Sequence, residues 1–184
     1  KVPEPEIRAL KPASARQELS AVKGDRLEAL FTVALACGLR QSEAFGFRWG
    51  DVDLDAGTLT VQRTIQRVNR EYQVLEPKTR CSRRTISLPA PVVAFLRQHR
   101  TRQAEERLGI GGAWQGDAWG GLVFTDEPGR PLSSFHVRRR FKQLLSLAGL
   151  PTMRYHELRH GAASLMAAQG VQARGGMEVL GYAQ

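Results

Sequence analysis

Residues 26–37 read Arg-Leu-Glu-Ala-Leu-Phe-Thr-Val-Ala-Leu-Ala-Cys and run into Gly38. On a helix, Leu27, Leu30, Phe31, Val33, Ala34, Leu35 and Ala36 nearly encircle the axis. A helix apolar on most sides must be covered on most sides, so this one is central to the core. Asp25 stands where an N-cap is needed, and Gly38 where a left-handed residue ends a helix. No other stretch limits the fold as strongly.

The neighbouring elements follow from period and punctuation. Pro12 suits the first turn of a helix reaching about residue 22. Beyond Gly38 a short helix is expected over 41–46, with Ser42 and Glu43 in its first turn. After a turn-rich stretch at 51–57 the period changes to two. Leu59, Val61, Arg63, Ile65 and Arg67 alternate with Thr60, Gln62, Thr64 and Gln66, which is a strand pattern. A turn at Asn69-Arg70-Glu71, a second strand over 72–75 and a third over 85–89 complete a small antiparallel meander. Residues 77–84 form a basic loop inside it.

Pro91 opens a helix to about residue 108, with Val92, Phe95 and Leu96 inward and Arg97, Arg100, Arg102 and Arg107 outward. A Gly- and Trp-rich loop over 109–121 and a short extended piece at 122–124 follow. Ser133 or Ser134 then caps a helix to Ala148, with Phe141, Leu144, Leu145 and Ala148 as its stripe. A last helix over about 172–180 is weakened by Gly175-Gly176, each glycine costing about 1 kcal/mol. The fold class is α+β, mostly α, with a small three-stranded antiparallel sheet on one side.

Charge narrows the partner. Lys and Arg number 27 against 18 acids, a net charge of +9, which favours a polyanion: nucleic acid first, an acidic membrane surface second. No run of about 18 apolar residues is present, so no membrane span is expected. The two cysteines, Cys37 and Cys81, have no metal-ligand spacing, and a reducing, cytoplasmic setting is the simplest inference. Residues 1–11 are Pro-rich and linker-like, without an apolar signal core.

The densest chemistry lies at His156-Glu157-Leu158-Arg159-His160, ahead of the apolar run 161–168. Positions i, i+3 and i+4 share a helix face, so His156, Arg159 and His160 converge. Two chemistries compete. The literal H-E-x-x-H pattern suggests a zinc protease, with Glu157 as base and Glu178 nominated as third ligand. Arg159 argues against it by placing a cation between the two ligands, and His99 and His136 offer no ligand pattern. No metal is therefore expected.

The other chemistry is a clamp on a phosphate. In-line attack on a phosphodiester develops charge on the non-bridging oxygens, and preorganised cations stabilise it. Arginine suits the task because its planar fork binds two oxygens at once. One arginine is rarely enough, and Arg40 is the candidate second, at the sharp turn after the central helix. A charge beside so buried a helix is costly without a partner, and Glu43, three residues on, can hold it. A leaving oxygen also needs an acid, for which Lys78 in the basic loop is the candidate.

These residues carry a resemblance. Ala34-Leu35-Ala36-Cys37-Gly38-Leu39-Arg40-Gln41-Ser42-Glu43, Arg48-Trp49-Gly50-Asp51-Val52-Asp53, the stretch 77–89, His156-Glu157-Leu158-Arg159-His160 and Leu180-Gly181-Tyr182 resemble the tyrosine recombinase (phage integrase) catalytic domain. The blocks keep that family's order and spacing over nearly the whole chain. The resemblance implies the DNA breaking-rejoining fold, double-stranded DNA as partner and no cofactor. It implies that Arg40 and Arg159 clamp the scissile phosphate, and that His156 contacts it and assists proton transfer. Lys78 would protonate the 5′ oxygen, His160 would support the site and Glu43 would buttress Arg40. A tyrosine would attack to give a 3′-phosphotyrosyl link. Arg80, Arg83, Arg84, Arg138 and Arg139 are the further candidates for DNA contact.

The chain departs from the family pattern in one important place. Tyr182 occupies the slot that usually holds a His or Trp bonded to the phosphate, and the nucleophilic tyrosine is expected later, past Gln184. Tyr72 and Tyr155 are worse placed, so no nucleophile is expected within the chain. Gly161 stands where the family commonly has Thr. The expected organisation is a linker at 1–11, from a missing N-terminal DNA-binding domain, and a catalytic domain at 12–184 that stops before its nucleophile. The activity expected of the whole protein is site-specific DNA recombination. The alternative is a non-catalytic or degenerate DNA-binding relative. The chain alone is expected to be a monomer, and the whole protein a tetramer on DNA.

Overall fold

The structure, a computed structural model, describes residues 17, 19–76, 83–155 and 157. The helix α1 (Glu28–Cys37) is central, with Ala29, Leu30, Phe31, Val33, Ala34, Leu35 and Cys37 buried. Each large side chain among them contributes about 1.5–3 kcal/mol by leaving water. The helix begins at Glu28 rather than Arg26. Asp25 does not cap it directly: its Oδ1 accepts the Leu27 N–H at 2.9 Å and its carbonyl the Glu28 N–H at 3.0 Å, which makes a turn before the helix. Gly38, with φ of 58°, ends it as expected. The short helix α2 (Gln41–Gly46) follows directly.

The alternating run is not one strand. It divides into β2 and β3, so the strands are β1 (Val52–Asp53), β2 (Thr58–Val61), β3 (Thr64–Val68), β4 (Glu71–Leu75) and β5 (Arg84–Ser87). The three-stranded antiparallel sheet is β1-β2-β5, and β3-β4 is a separate hairpin. The expected meander is thereby corrected: β5 pairs with β2, not with the second strand of the hairpin. A close approach accompanies the break. A Cβ on Gly46 would lie 2.8 Å from the Arg63 carbonyl oxygen, so only glycine lets the end of α2 press against the chain where β2 gives way to β3. Arg63 turns there to bond Asp51. In the hairpin turn, Asn69 and Arg70 both take positive φ, 49° and 69°, as a two-residue turn between twisted strands demands.

Helix α3 (Ala90–Ile110) lies against α1, with Val92, Leu96, His99 and Gln103 buried. Phe95 is only half-buried. Arg102 was expected outside, but its guanidinium donates to the Arg26 carbonyl at 2.9 Å and to His99 Nδ1 at 3.2 Å. The expected loop at 109–121 holds two 3-10 turns, Gly111–Ala113 and Gly116–Trp119, pinned by the Gln115 N–H on the Pro128 carbonyl at 2.8 Å. Helix α4 (Ser134–Leu147) buries Val137, Phe141, Leu144 and Leu145. Its Phe141 ring sits 4.9 Å from Phe31 and ties it to α1. Ala148, expected in that stripe, is exposed. The expected helix over 172–180 and the tip of the basic loop lie outside the described residues.

Candidate functional site

The left-handed turn at Gly38 reverses the chain so that Arg40 becomes the N-cap of α2, with extended backbone. Glu43, at the third position of α2, then reaches back twice. Its Oε2 accepts the Arg40 backbone N–H at 2.9 Å, and its Oε1 accepts Arg40 Nη1 at 2.9 Å. The first bond caps the helix and the second holds the guanidinium. The Glu43 side chain is 2% exposed, whereas Arg40 is 40% exposed. One end of the pair is thus anchored in the core and the other faces out.

A third charge completes the cluster. Arg84, at the start of β5, donates to Glu43 Oε1 at 3.2 Å and to Oε2 at 3.1 Å. Its side chain is 8% exposed. Both Glu43 oxygens therefore accept from both arginines. Burial would raise the Glu43 carboxyl, but the bonds and charge of Arg84, joined by those of Arg40, hold it below the usual carboxylate range. Arg84 was expected to contact DNA, and the structure shows its guanidinium bonded to Glu43. A signal for this existed in the sequence. Ile86 is buried, and a strand places Arg84 on the same face two residues earlier.

A cleft of about 1070 Å³ opens beside the Arg40 turn, lined on one side by Leu39 and Gln41. Arg138, Arg139 and Lys142 of α4, with Arg154, supply cations along it. Arg138 and Arg139 were expected to face a phosphate and both are exposed. The third arginine of that run, Arg140, turns away to Asp25 at 2.7 Å. Arg83 is exposed, and its ion pair with Glu76 at 2.9 Å is between two exposed side chains. Lys142 and Arg154 were missed by the sequence reading, because isolated cations on exposed positions carry no pattern.

Tyr155 and Glu157 have helical backbone, and the rest of the H-E-x-x-H pattern lies outside the described residues. Glu157, the base of the zinc reading, instead accepts the Arg154 backbone N–H, while its own N–H donates to the Arg154 carbonyl at 2.9 Å. That is a capping role. Lys78, Arg80, His156, Arg159, His160 and Tyr182 lie outside the described residues, so the clamp is described on its Arg40 side only.

The other two tyrosines have structural surroundings. Tyr155 is buried 6.4 Å from Phe31, and burial pushes its phenol up, away from the phenolate a nucleophile needs. Tyr72 packs edge-on against Trp119 at 6.0 Å, and burial raises its phenol too. The Cys37 thiol, at the end of α1 just before the Arg40 turn, is pushed up to about 12 by burial.

Comparison with known proteins bears on this arrangement. The model of the phage integrase family matches residues 4–184. A tyrosine recombinase XerC-like protein of Caldanaerobacter subterraneus subsp. tengcongensis is 36% identical over 97% of this chain and 48% of its own length. An integrase of Streptomyces ambofaciens is 36% identical over 89% of this chain and 43% of its own. The chain thus spans about half the length of these curated relatives. Among solved structures, the Tn1549 transposon integrase in complex with transposon right end DNA superposes with a TM-score of 0.84 at 22% identity, covering 100% of this chain and 60% of that one. The lambda integrase catalytic core gives 0.60 at 19% identity, over 94% and 90%. These two likenesses show the shared α+β fold.

Proposed function

The chain belongs to the phage integrase family, the tyrosine recombinases, and from that premise we propose that it is the catalytic part of a site-specific DNA recombinase. Its substrate is double-stranded DNA, and its chemistry is strand cleavage and rejoining through a 3′-phosphotyrosine link. The observation that carries the proposal is Arg40. Its guanidinium is fixed by a buried carboxylate yet is 40% exposed, and its chain neighbours Leu39 and Gln41 line a cleft together with Arg138, Arg139, Lys142 and Arg154. A cation held in place before the substrate arrives stabilises developing phosphorane charge without reorganising.

In this proposal Arg40 and Arg159 grip the non-bridging oxygens of the scissile phosphate. His156 shares that contact, Lys78 protonates the departing 5′ oxygen, and His160 supports the site. Tyr182 contacts the phosphate from the slot of a hydrogen-bond donor and does not attack it. Arg80, Arg83, Arg138 and Arg139 bind flanking backbone phosphates. The chain alone is a monomer, and the whole protein works as a tetramer on DNA.

Two measurements test the proposal. Binding of a random-sequence duplex should weaken steeply with salt, and Arg40→Ala should reduce the slope of log K against log salt by about 1. Absence of salt-dependent binding would overturn the DNA reading. A nicked suicide duplex incubated with the 184-residue chain should give no covalent adduct. An adduct mapped to Tyr182 would make that residue the nucleophile and overturn its assigned role.

A further inference from the structure

Glu43 is shared between two arginines that arrive from different elements. Arg40 comes from the turn into α2, and Arg84 from the first residue of β5. The carboxylate is gripped at both oxygens by both, at 2.9–3.2 Å. Arg40 and Arg84 divide the one carboxylate between them, so neither takes all of its charge. Geometry adds a second effect. The Arg84 fork holds the plane of the carboxylate, and that plane directs Arg40 Nη1.

We propose that Arg84 is a positioning residue for Arg40: it shares the Glu43 charge and fixes the carboxylate, so that the Arg40 guanidinium stays aimed outward. This rests on the phosphate-clamp reading above. Stability alone does not explain the arrangement, because a buried ion pair is seldom better than apolar residues of the same volume. A strand position flanked by the buried Ile86 would accept an apolar residue. Arg84 also lies six positions after Lys78 in the chain, so the strand that ends the basic loop is tied to the Arg40 turn through one carboxylate.

The test compares Arg84→Met, Arg84→Lys, Arg40→Ala and the double variant Arg40→Ala/Arg84→Met in the same 184-residue chain. Readouts are the salt slope for a random-sequence duplex, the pH titration of the ¹³C-labelled Glu43 carboxyl, and the Arg40 Nε–H resonance. Arg84→Met should lower the salt slope by about 1, as Arg40→Ala does, and the double variant should lose no more than either single one. The Glu43 carboxyl should titrate at higher pH and the Arg40 resonance should shift. Arg84→Lys keeps the charge without the fork and should recover part of the binding.

A wild-type slope and an unshifted Arg40 resonance in Arg84→Met would overturn the proposal by leaving Arg84 a merely structural role. Full additivity in the double variant would overturn it by making Arg84 a phosphate contact of its own. If Arg84→Met does not fold, Arg84→Lys carries the same comparisons. If Arg40→Ala itself leaves DNA binding unchanged, the phosphate-clamp reading fails. The Arg40 resonance in the Arg84 variants still decides whether Arg84 positions it.

Discussion

Two buried polar clusters flank the core, and they are built on opposite rules. In the first, Glu43 holds Arg40 and Arg84, three full charges in one contact set. In the second, Gln103 and His99 of α3 use neutral groups to satisfy the segment at 122–125. Gln103 Nε2 donates to the carbonyls of Leu122 and Val123 at 3.1 Å and to Thr125 Oγ1 at 3.2 Å, and its Oε1 accepts Trp49 Nε1 at 2.7 Å. His99 Nε2 lies 2.6 Å from the Val123 carbonyl, which can only accept, so Nε2 carries the proton and Nδ1 accepts from Arg102. The second cluster is neutral at its buried members, Gln103 and His99, and meets a charge at its edge through Arg102. The charged cluster keeps one arm outside. Buried groups that hold chain segments together can be neutral, whereas the anion contact proposed for Arg40 needs a full charge and an opening.

That contrast can be broken by substitution. The largest effect is expected for Glu43→Gln, which removes the carboxylate charge from the nearly buried Arg84. Loss of one partner of a buried pair costs about 3–5 kcal/mol, to be read from chemical denaturation. A loss no larger than that of an exposed pair would mean that the cluster relaxes into solvent. Gln103→Leu should come next, at about 1–3 kcal/mol, because it strands the Trp49 indole N–H and the Leu122 carbonyl, while the Val123 carbonyl keeps its His99 bond. It should leave the affinity for duplex DNA as it was. A weakened affinity would show that the neutral cluster also serves the site.

The smallest and most discriminating effect is with pH. Burial drives His99 below its ordinary value of 6.5, an effect that the Val123 carbonyl opposes and the charge of Arg102 reinforces. The fold therefore keeps it neutral while the unfolded chain takes up a proton. Stability contributed this way is complete above pH 6.5 and falls as the pH drops from there, by up to about 1.4 kcal/mol per unit. Glu43 is lowered from 4.5, so its contribution is complete above that value and is lost as pH falls through its lower folded value. Acid unfolding should have two limbs, and His99→Gln should remove the upper one alone. Persistence of the upper limb in that variant would assign it to another group.

Legibility differed between these two regions for a physical reason. Arg40 and Glu43 are three residues apart, and a helix start brings such positions together by local geometry alone. Arg84 lies 41 positions from Glu43, so no local rule links them, and the sequence reading left it in the loop ahead of the strand. His99 and Gln103 fall one turn apart on the face that also buries Val92 and Leu96. A polar residue on an apolar stripe gives no sign of being buried until the carbonyls that satisfy it are in place. The sheet was misassigned for a similar reason. The alternation from Leu59 to Arg67 is continuous in sequence, and the close approach of Gly46 to Arg63 that accompanies its division is a contact between distant positions.

The sequence by itself determined the central helix, its glycine stop, the Arg40–Glu43 pair and the family, because these depend on period, short spacing and ordered blocks. The tertiary structure alone decided that β5 joins β2, that Arg84 lies on Glu43 and that α3 carries a buried polar seam. Each of those outcomes is a contact between groups distant along the chain. Such contacts are set by which surfaces must be buried together and which buried polar atoms must find partners, and neither is written at any one position.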